Sequence, residues 1–286
     1  MIFKLRVVMV LLAVPALGQS IGVRAPSSVS AGSSFSITTT GSGSGTFYLL
    51  GPNHVLKQTI QFGHELQISG TDIPASGSYQ AIACDSGDCA NTVFYVRPAT
   101  PARLSFLVHP SRVPVSATNA INATALVFDR FQDTVLDPTP VEFHFSPAGA
   151  ASYTRSQTTN RGIAWLQMGS SAKQGPLQVV ASMGETAEAR VIQQVASEAC
   201  GLRMTASSSV RNVRVQTDPI RDCSGNPLPD GTIVSFTKID QAGRSTVDTP
   251  IKKGIATAQF SVSGLARISL ACGVVLGNEI SVGGRP

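Results

Sequence analysis

The sequence predicts an all-β chain of tandem antiparallel β-sandwiches, and three observations predict it. Short apolar–polar alternations run through the chain, clusters of Gly, Pro, Asn and Asp punctuate them, and one motif recurs after about 90 residues. Alternation with period two marks a half-buried strand. Turn residues between such runs let the chain reverse, and about 100 residues suffice for one small β-sandwich. No long helical pattern separates the runs, which argues against a parallel sheet with crossover helices.

The N-terminus decides which residues count toward the fold. Met1 to Gly18 carries Lys4 and Arg6, then an apolar run from Val7 to Leu17, then small residues before Gln19. These are the parts of a secretory signal peptide. The run is shorter than the roughly 20 residues that span a bilayer, and Pro15 interrupts it. The expected mature chain starts at Gln19, has no lipidated cysteine there and no membrane span, and is secreted: extracellular, at the cell surface or periplasmic. Net charge is +5, and +3 without Lys4 and Arg6. Residues 19–98 carry −1, 99–195 carry +1 and 196–286 carry +3, with the basic residues scattered. That distribution reads as a solvated surface, so nucleic acid is not an expected partner.

Residues 19–98 form the first expected domain. Phe35 and Ile37 alternate with serines, and Phe47 and Leu49 alternate in the run after Gly45. The run from Asp72 to Ala81 places Tyr79 where immunoglobulin folds carry a tyrosine corner, whose hydroxyl bonds back to nearby backbone. Residues 97–101, rich in Pro, are the expected first linker, and 194–198 the second.

The second and third domains, 99–195 and 196–286, contain the repeat. From Val127 to Phe143 the chain shows Asp129, Val135, Val141 and Phe143; from Ile220 to Phe236 it shows Asp222, Leu228, Val234 and Phe236 at the same spacing. Downstream, Gly162-Ile163-Ala164 corresponds to Gly254-Ile255-Ala256, and the pair Gly175 and Gly184 to Gly264 and Gly273. Val141, Phe143 and Phe145 alternate with polar residues, as do Leu177, Val179 and Ala181, and Ala266, Ile268 and Leu270.

The aliphatic-x-Asp, the turn Gly225-Asn226-Pro227-Leu228-Pro229-Asp230-Gly231, then Val234-x-Phe236 and Lys253-Gly254-Ile255-Ala256 resemble the bacterial Ig-like domain of the invasin and intimin type. Cys200 to Val282 fits best. Ala102 to Ile192 is a weaker copy, with Arg130-Phe131-Gln132-Asp133 in place of a Gly-containing turn, and the first domain is an Ig-like sandwich of another kind. The resemblance implies tandem immunoglobulin-like sandwiches of about seven to nine strands, used as a stalk, spacer or adhesive rod on bacterial surfaces. It brings no catalytic residues.

All five cysteines lie after the leader, where an exported chain meets an oxidising compartment. Cys84 and Cys89 flank Asp-Ser-Gly-Asp at the mouth of an expected hairpin, where facing positions are close enough for a disulfide. Asp85 and Asp88 are too few ligands for calcium. In an Ig-like topology Cys200, Cys223 and Cys272 share one end of the third sandwich. Cys223 then pairs with Cys200 or with Cys272, and one thiol is left over, buried or free to link chains.

No nucleophile elbow, metalloprotease helix or phosphate loop occurs, and Gly41 to Gly45 lacks the Lys and helix of a phosphate loop. His54, His64, His109 and His144 are dispersed, so no catalytic, cofactor or metal residue is assigned. Trp165, in the run Gly162 to Met168, is expected in the core or between sheets, with a sugar platform as the alternative. The expected function is a non-enzymatic spacer or adhesive rod with a protein or glycan ligand at the cell surface or outside it. The alternatives are a secreted carbohydrate-binding or accessory module and a surface filament subunit.

Overall fold

The structure is a computed structural model that describes residues 20–208 and 212–283. The expected leader, Met1 to Gly18, lies outside the described residues. By its internal contacts the chain divides into two compact units. One holds the described residues through Pro101 together with Asp129–Val135; the other holds Ala102–Phe128 and the described residues from Leu136 onward.

In the first unit, β1 (Gly22–Arg24), β2 (Ser28–Ser30), β3 (Phe35–Thr40), β4 (Ser44–Leu50), β5 (Val55–Gln61), β6 (Glu65–Ile68), β7 (Gly77–Cys84) and β8 (Cys89–Arg97) make two sheets. Their strand orders are β1-β3-β6 and β2-β8-β7-β4-β5. The inward residues Ile37, Phe47, Leu49, Ile68 and Phe94 form the core between them. Tyr79 is buried there beside Phe94, with ring centroids 5.8 Å apart. Its hydroxyl donates to the Ala75 carbonyl at 3.0 Å, the backward bond of a tyrosine corner.

The second sandwich contains β9 (Pro101–His109), β10 (Arg112–Pro114), β11 (Ile121–Asp129), β12 (Pro140–Pro147), β13 (Tyr153–Thr158), β14 (Ile163–Met168), β15 (Gly175–Met183) and β16 (Thr186–Val195). Its sheets run β14-β11-β9 and β10-β16-β15-β12-β13. The third contains β17 (Met204–Ser208), β18 (Asn212–Thr217), β19 (Ile233–Asp240), β20 (Gly243–Pro250), β21 (Thr257–Ser261), β22 (Ala266–Cys272) and β23 (Val275–Val282). Its sheets run β17-β18-β21 and β20-β19-β22-β23.

The repeated apolar positions are the buried ones. Val141, Phe143, Val234 and Phe236 have no exposed surface, and Val135 and Leu228 have little. Gly184 and Gly273 open two-residue hairpin turns with φ of 55° and 59°, a conformation that favours glycine. Period-two burial thus places the expected alternations on the inner faces. The linkers are shorter than the sequence suggests: Gln194 and Val195 still belong to β16, where Gln194 is buried and its Oε1 accepts from Ser171 N at 2.6 Å.

Two substitutions test this core. Phe236→Ala should destabilise the third sandwich by about 3–5 kcal/mol through the cavity it leaves. Tyr79→Phe should cost the first about 1 kcal/mol by orphaning the Ala75 carbonyl. Each is read from the shift of the chemical-denaturation transition followed by circular dichroism.

Candidate functional site

With no catalytic constellation expected, function rests on the residues that join sandwiches and on those that face outward. The repeated aspartate is the centre of the first group. Asp222 begins a tight turn in which Gly225 takes φ 85°, a region closed to most side chains. Its Oδ1 accepts from Ser224 N at 2.9 Å and Asn226 N at 2.8 Å. Its Oδ2 accepts from Ser197 N, in the segment after β16, at 3.1 Å, and from Asn226 Nδ2 at 3.0 Å.

Asn226 extends the network. Its Nδ2 also donates to the Ala172 carbonyl at 2.8 Å, and its Oδ1 accepts from Gln174 N at 3.0 Å. Ser116 and Ser224 hydroxyls meet at 2.8 Å. Within the second unit, therefore, the turn of the third sandwich is bonded to loops of the second. Burial pushes the Asp222 pKa up, but the bonds from the Asn226 side chain and from the main chain of Asn226, Ser197 and Ser224 outweigh it and hold the carboxyl below its ordinary range.

Asp129 repeats the arrangement within the first unit. Its Oδ1 accepts from Phe131 N at 2.8 Å and Asp133 N at 2.9 Å, and its Oδ2 from Ala99 N at 2.8 Å. Asp133, the counterpart of Asn226, accepts from Ser76 N, as Asn226 accepts from Gln174 N. Gln132, at the position of Gly225, takes φ 73° without being glycine. The turn keeps its shape despite the altered sequence.

The cysteines fall in two groups, one in each unit. Cys84 and Cys89 face each other across the β7–β8 hairpin and are bonded. Asp85 Oδ1 accepts from Gly87 N and Asp88 N at 2.8 Å each. That carboxylate serves its own turn, and no group of three metal-ligating side chains occurs among the described residues. Cys200 is bonded to Cys223, while Cys272 is a buried thiol whose pKa burial raises.

The outward residues include a correction. Trp165 is not in the core: it is 61% exposed. On β14 the smaller Ala164, Leu166 and Met168 take the inner face and leave Ile163 and Trp165 outside, with Trp165 opposite Thr124 of β11. An apolar cleft of about 440 Å³ opens in the second unit between residues 196–199, 228–229 and 272–274. Val274 on its wall is 80% exposed, and Leu276, on β23, is 79% exposed.

Asp222→Ala should destabilise the third sandwich by about 2–4 kcal/mol, because main-chain N–H groups and Asn226 lose their acceptor. The acid dependence has a definite sign. Since the folded carboxyl titrates below the unfolded one, its contribution is complete above the unfolded pKa and is lost as pH falls through the folded pKa, below about pH 4. Asp85, Asp230 and Asp240 shift in the same direction. The measurement is therefore the difference in unfolding midpoint between the natural chain and Asp222→Asn from pH 5 to pH 2, which should narrow as pH falls.

No protein-family sequence pattern matches the chain, and no curated relative does. Solved structures do. FdeC, an Escherichia coli adhesin, is 14% identical with a TM-score of 0.59, over 95% of this chain and 98% of that one. Invasin, a bacterial integrin-binding protein, is 12% identical with a TM-score of 0.54, over 94% of this chain and 60% of that one. At these identities the likeness is one of fold. The chain shares with both the fold of tandem immunoglobulin-like β-sandwiches, the architecture that its repeat motif implied.

Proposed function

We propose that the protein is a secreted or surface-associated adhesive protein without enzymatic activity, acting as a spacer or binding rod. Its signal peptide is residues 1–18 and its Ig-like domains are 19–98, 99–195 and 196–286. The observation that carries this reading is the bonded junction around Asp222 and Asn226. A spacer must transmit position from one sandwich to the next, and a linker N–H held by a buried carboxylate restricts the connection more than a free loop would. The fold likeness to an adhesin and to an integrin-binding protein supports the same reading by analogy. The ligand is a protein or glycan at the cell surface or outside the cell, contacted through loops or outward faces.

In solution, residues 19–286 should be monomeric and elongated by small-angle scattering, and should retain a surface component in pull-downs from native surface extracts. A single compact globule, or polymers that grow with concentration on size-exclusion chromatography, would overturn the reading.

Export has a covalent signature. A non-reducing peptide map of the processed chain should give Cys84 linked to Cys89 and Cys200 linked to Cys223, with Cys272 alkylated only after unfolding. Closing the loop between residues 23 apart contributes about 3 kcal/mol to the third sandwich by restricting its unfolded chain. Reduction should lower its unfolding midpoint accordingly.

A further inference from the structure

The cleft at Val274 combines an apolar lining, fixed walls and one charged residue. Ala196, Ala199, Leu228, Pro229 and Cys272 make its lining apolar, and Glu198, which is exposed, is the one charged residue among the lining groups. The walls are held from behind. Ser197 N–H is bonded to Asp222, Cys200 to Cys223, Leu228 N to the Ile220 carbonyl, and Thr232 Oγ1 to the Pro229 carbonyl. Little ordering cost therefore remains to be met on binding.

We infer that this cleft is a docking site for a peptide segment of a partner protein, one that inserts a branched aliphatic side chain and sets a Lys or Arg against Glu198. A volume of about 440 Å³ lies within the range of small-ligand sites. The apolar lining favours a side-chain anchor, and the Glu198 carboxylate, which has no ion-pair partner among the described residues, favours a cation at the rim. A saccharide fits poorly, since no aromatic ring lines the cleft. The exposed hairpin tip of a second copy, Gly273 to Glu279, carries aliphatic residues but no cation, so it does not complement Glu198.

This inference deepens the adhesive reading, on which it rests for the source of the peptide. The test uses residues 19–286 and two fluorescent capped peptides, acetyl-Gly-Leu-Arg-Gly-amide and the same sequence with Glu in place of Arg. The Arg peptide should bind at least tenfold tighter, and Glu198→Arg, on the exposed rim, should reverse the order. Ala196→Leu, which fills the cleft, should abolish binding of both while leaving the circular dichroism unchanged.

Equal affinity for the two peptides, or no saturable binding of either, overturns the inference. So does displacement by decanoate that is indifferent to Glu198, which would make the cleft a lipid site. A dimer abolished by Ala196→Leu overturns it by naming a second copy as occupant. Attachment of the chain to surface extracts is scored separately with the Ala196→Leu variant. Full retention there, with peptide binding lost, removes the cleft from adhesion without removing adhesion.

Discussion

A carboxylate can accept hydrogen bonds on two oxygens at once, which no neutral side chain of similar size can do. Asp129 and Asp222 use both. One oxygen closes the turn on its own N–H groups, and the other takes an N–H from the segment that enters the sandwich. An amide here would present a donor where an acceptor is needed and leave a buried N–H unsatisfied. The residue four positions on, Asp133 or Asn226, then accepts from Ser76 or Gln174. Each of those donors immediately precedes a glycine at φ 140° or 135°, Gly77 or Gly175, that starts a strand. The repeat visible in the sequence is therefore a repeat of junction chemistry as well as of core packing.

The same network makes the apolar cleft possible. An apolar recess between a linker and two loops would collapse or open if those segments were loose. Here Ser197 is tied to Asp222, and the adjacent Cys200 to Cys223. The exposed aliphatics at Val274 and Leu276 stay outside because the β22–β23 hairpin turns sharply at Gly273.

Much of the fold was legible because strand alternation and turn residues act locally. Phe143 and Phe236 occur in alternating runs, and they are buried. Tyr79 was legible for a similar reason: its hydroxyl partner is four residues away. The linker bonds of Asp129 and Asp222 were not legible, because their partners lie 30 and 25 residues upstream and any main-chain N–H would satisfy the same chemistry. The outward position of Trp165 is not legible because nearly every residue from Ile163 to Met168 is apolar, so alternation alone leaves its phase undecided. Gln194 reads as linker by composition, yet it is buried at the end of β16 and accepts from Ser171 N. The cleft is not legible in the sequence because its lining comes from four separated segments.

In the first two sandwiches the strand near the beginning lies parallel to the strand at the end: β2 beside β8 over Ser28–Ser30, and β10 beside β16 over Arg112–Pro114. Parallel neighbours leave a sandwich at opposite ends, so a pull on both ends slides one strand along the other. All bonds of that short ladder then bear tension together in shear, rather than opening one after another. Among the described residues the third sandwich has no such parallel pair, and its entering segment is fastened by the Cys200–Cys223 bond instead. While that bond is intact, pulling cannot extend the chain between its two cysteines, so the length that traction can draw out of the third sandwich follows the redox state of its surroundings.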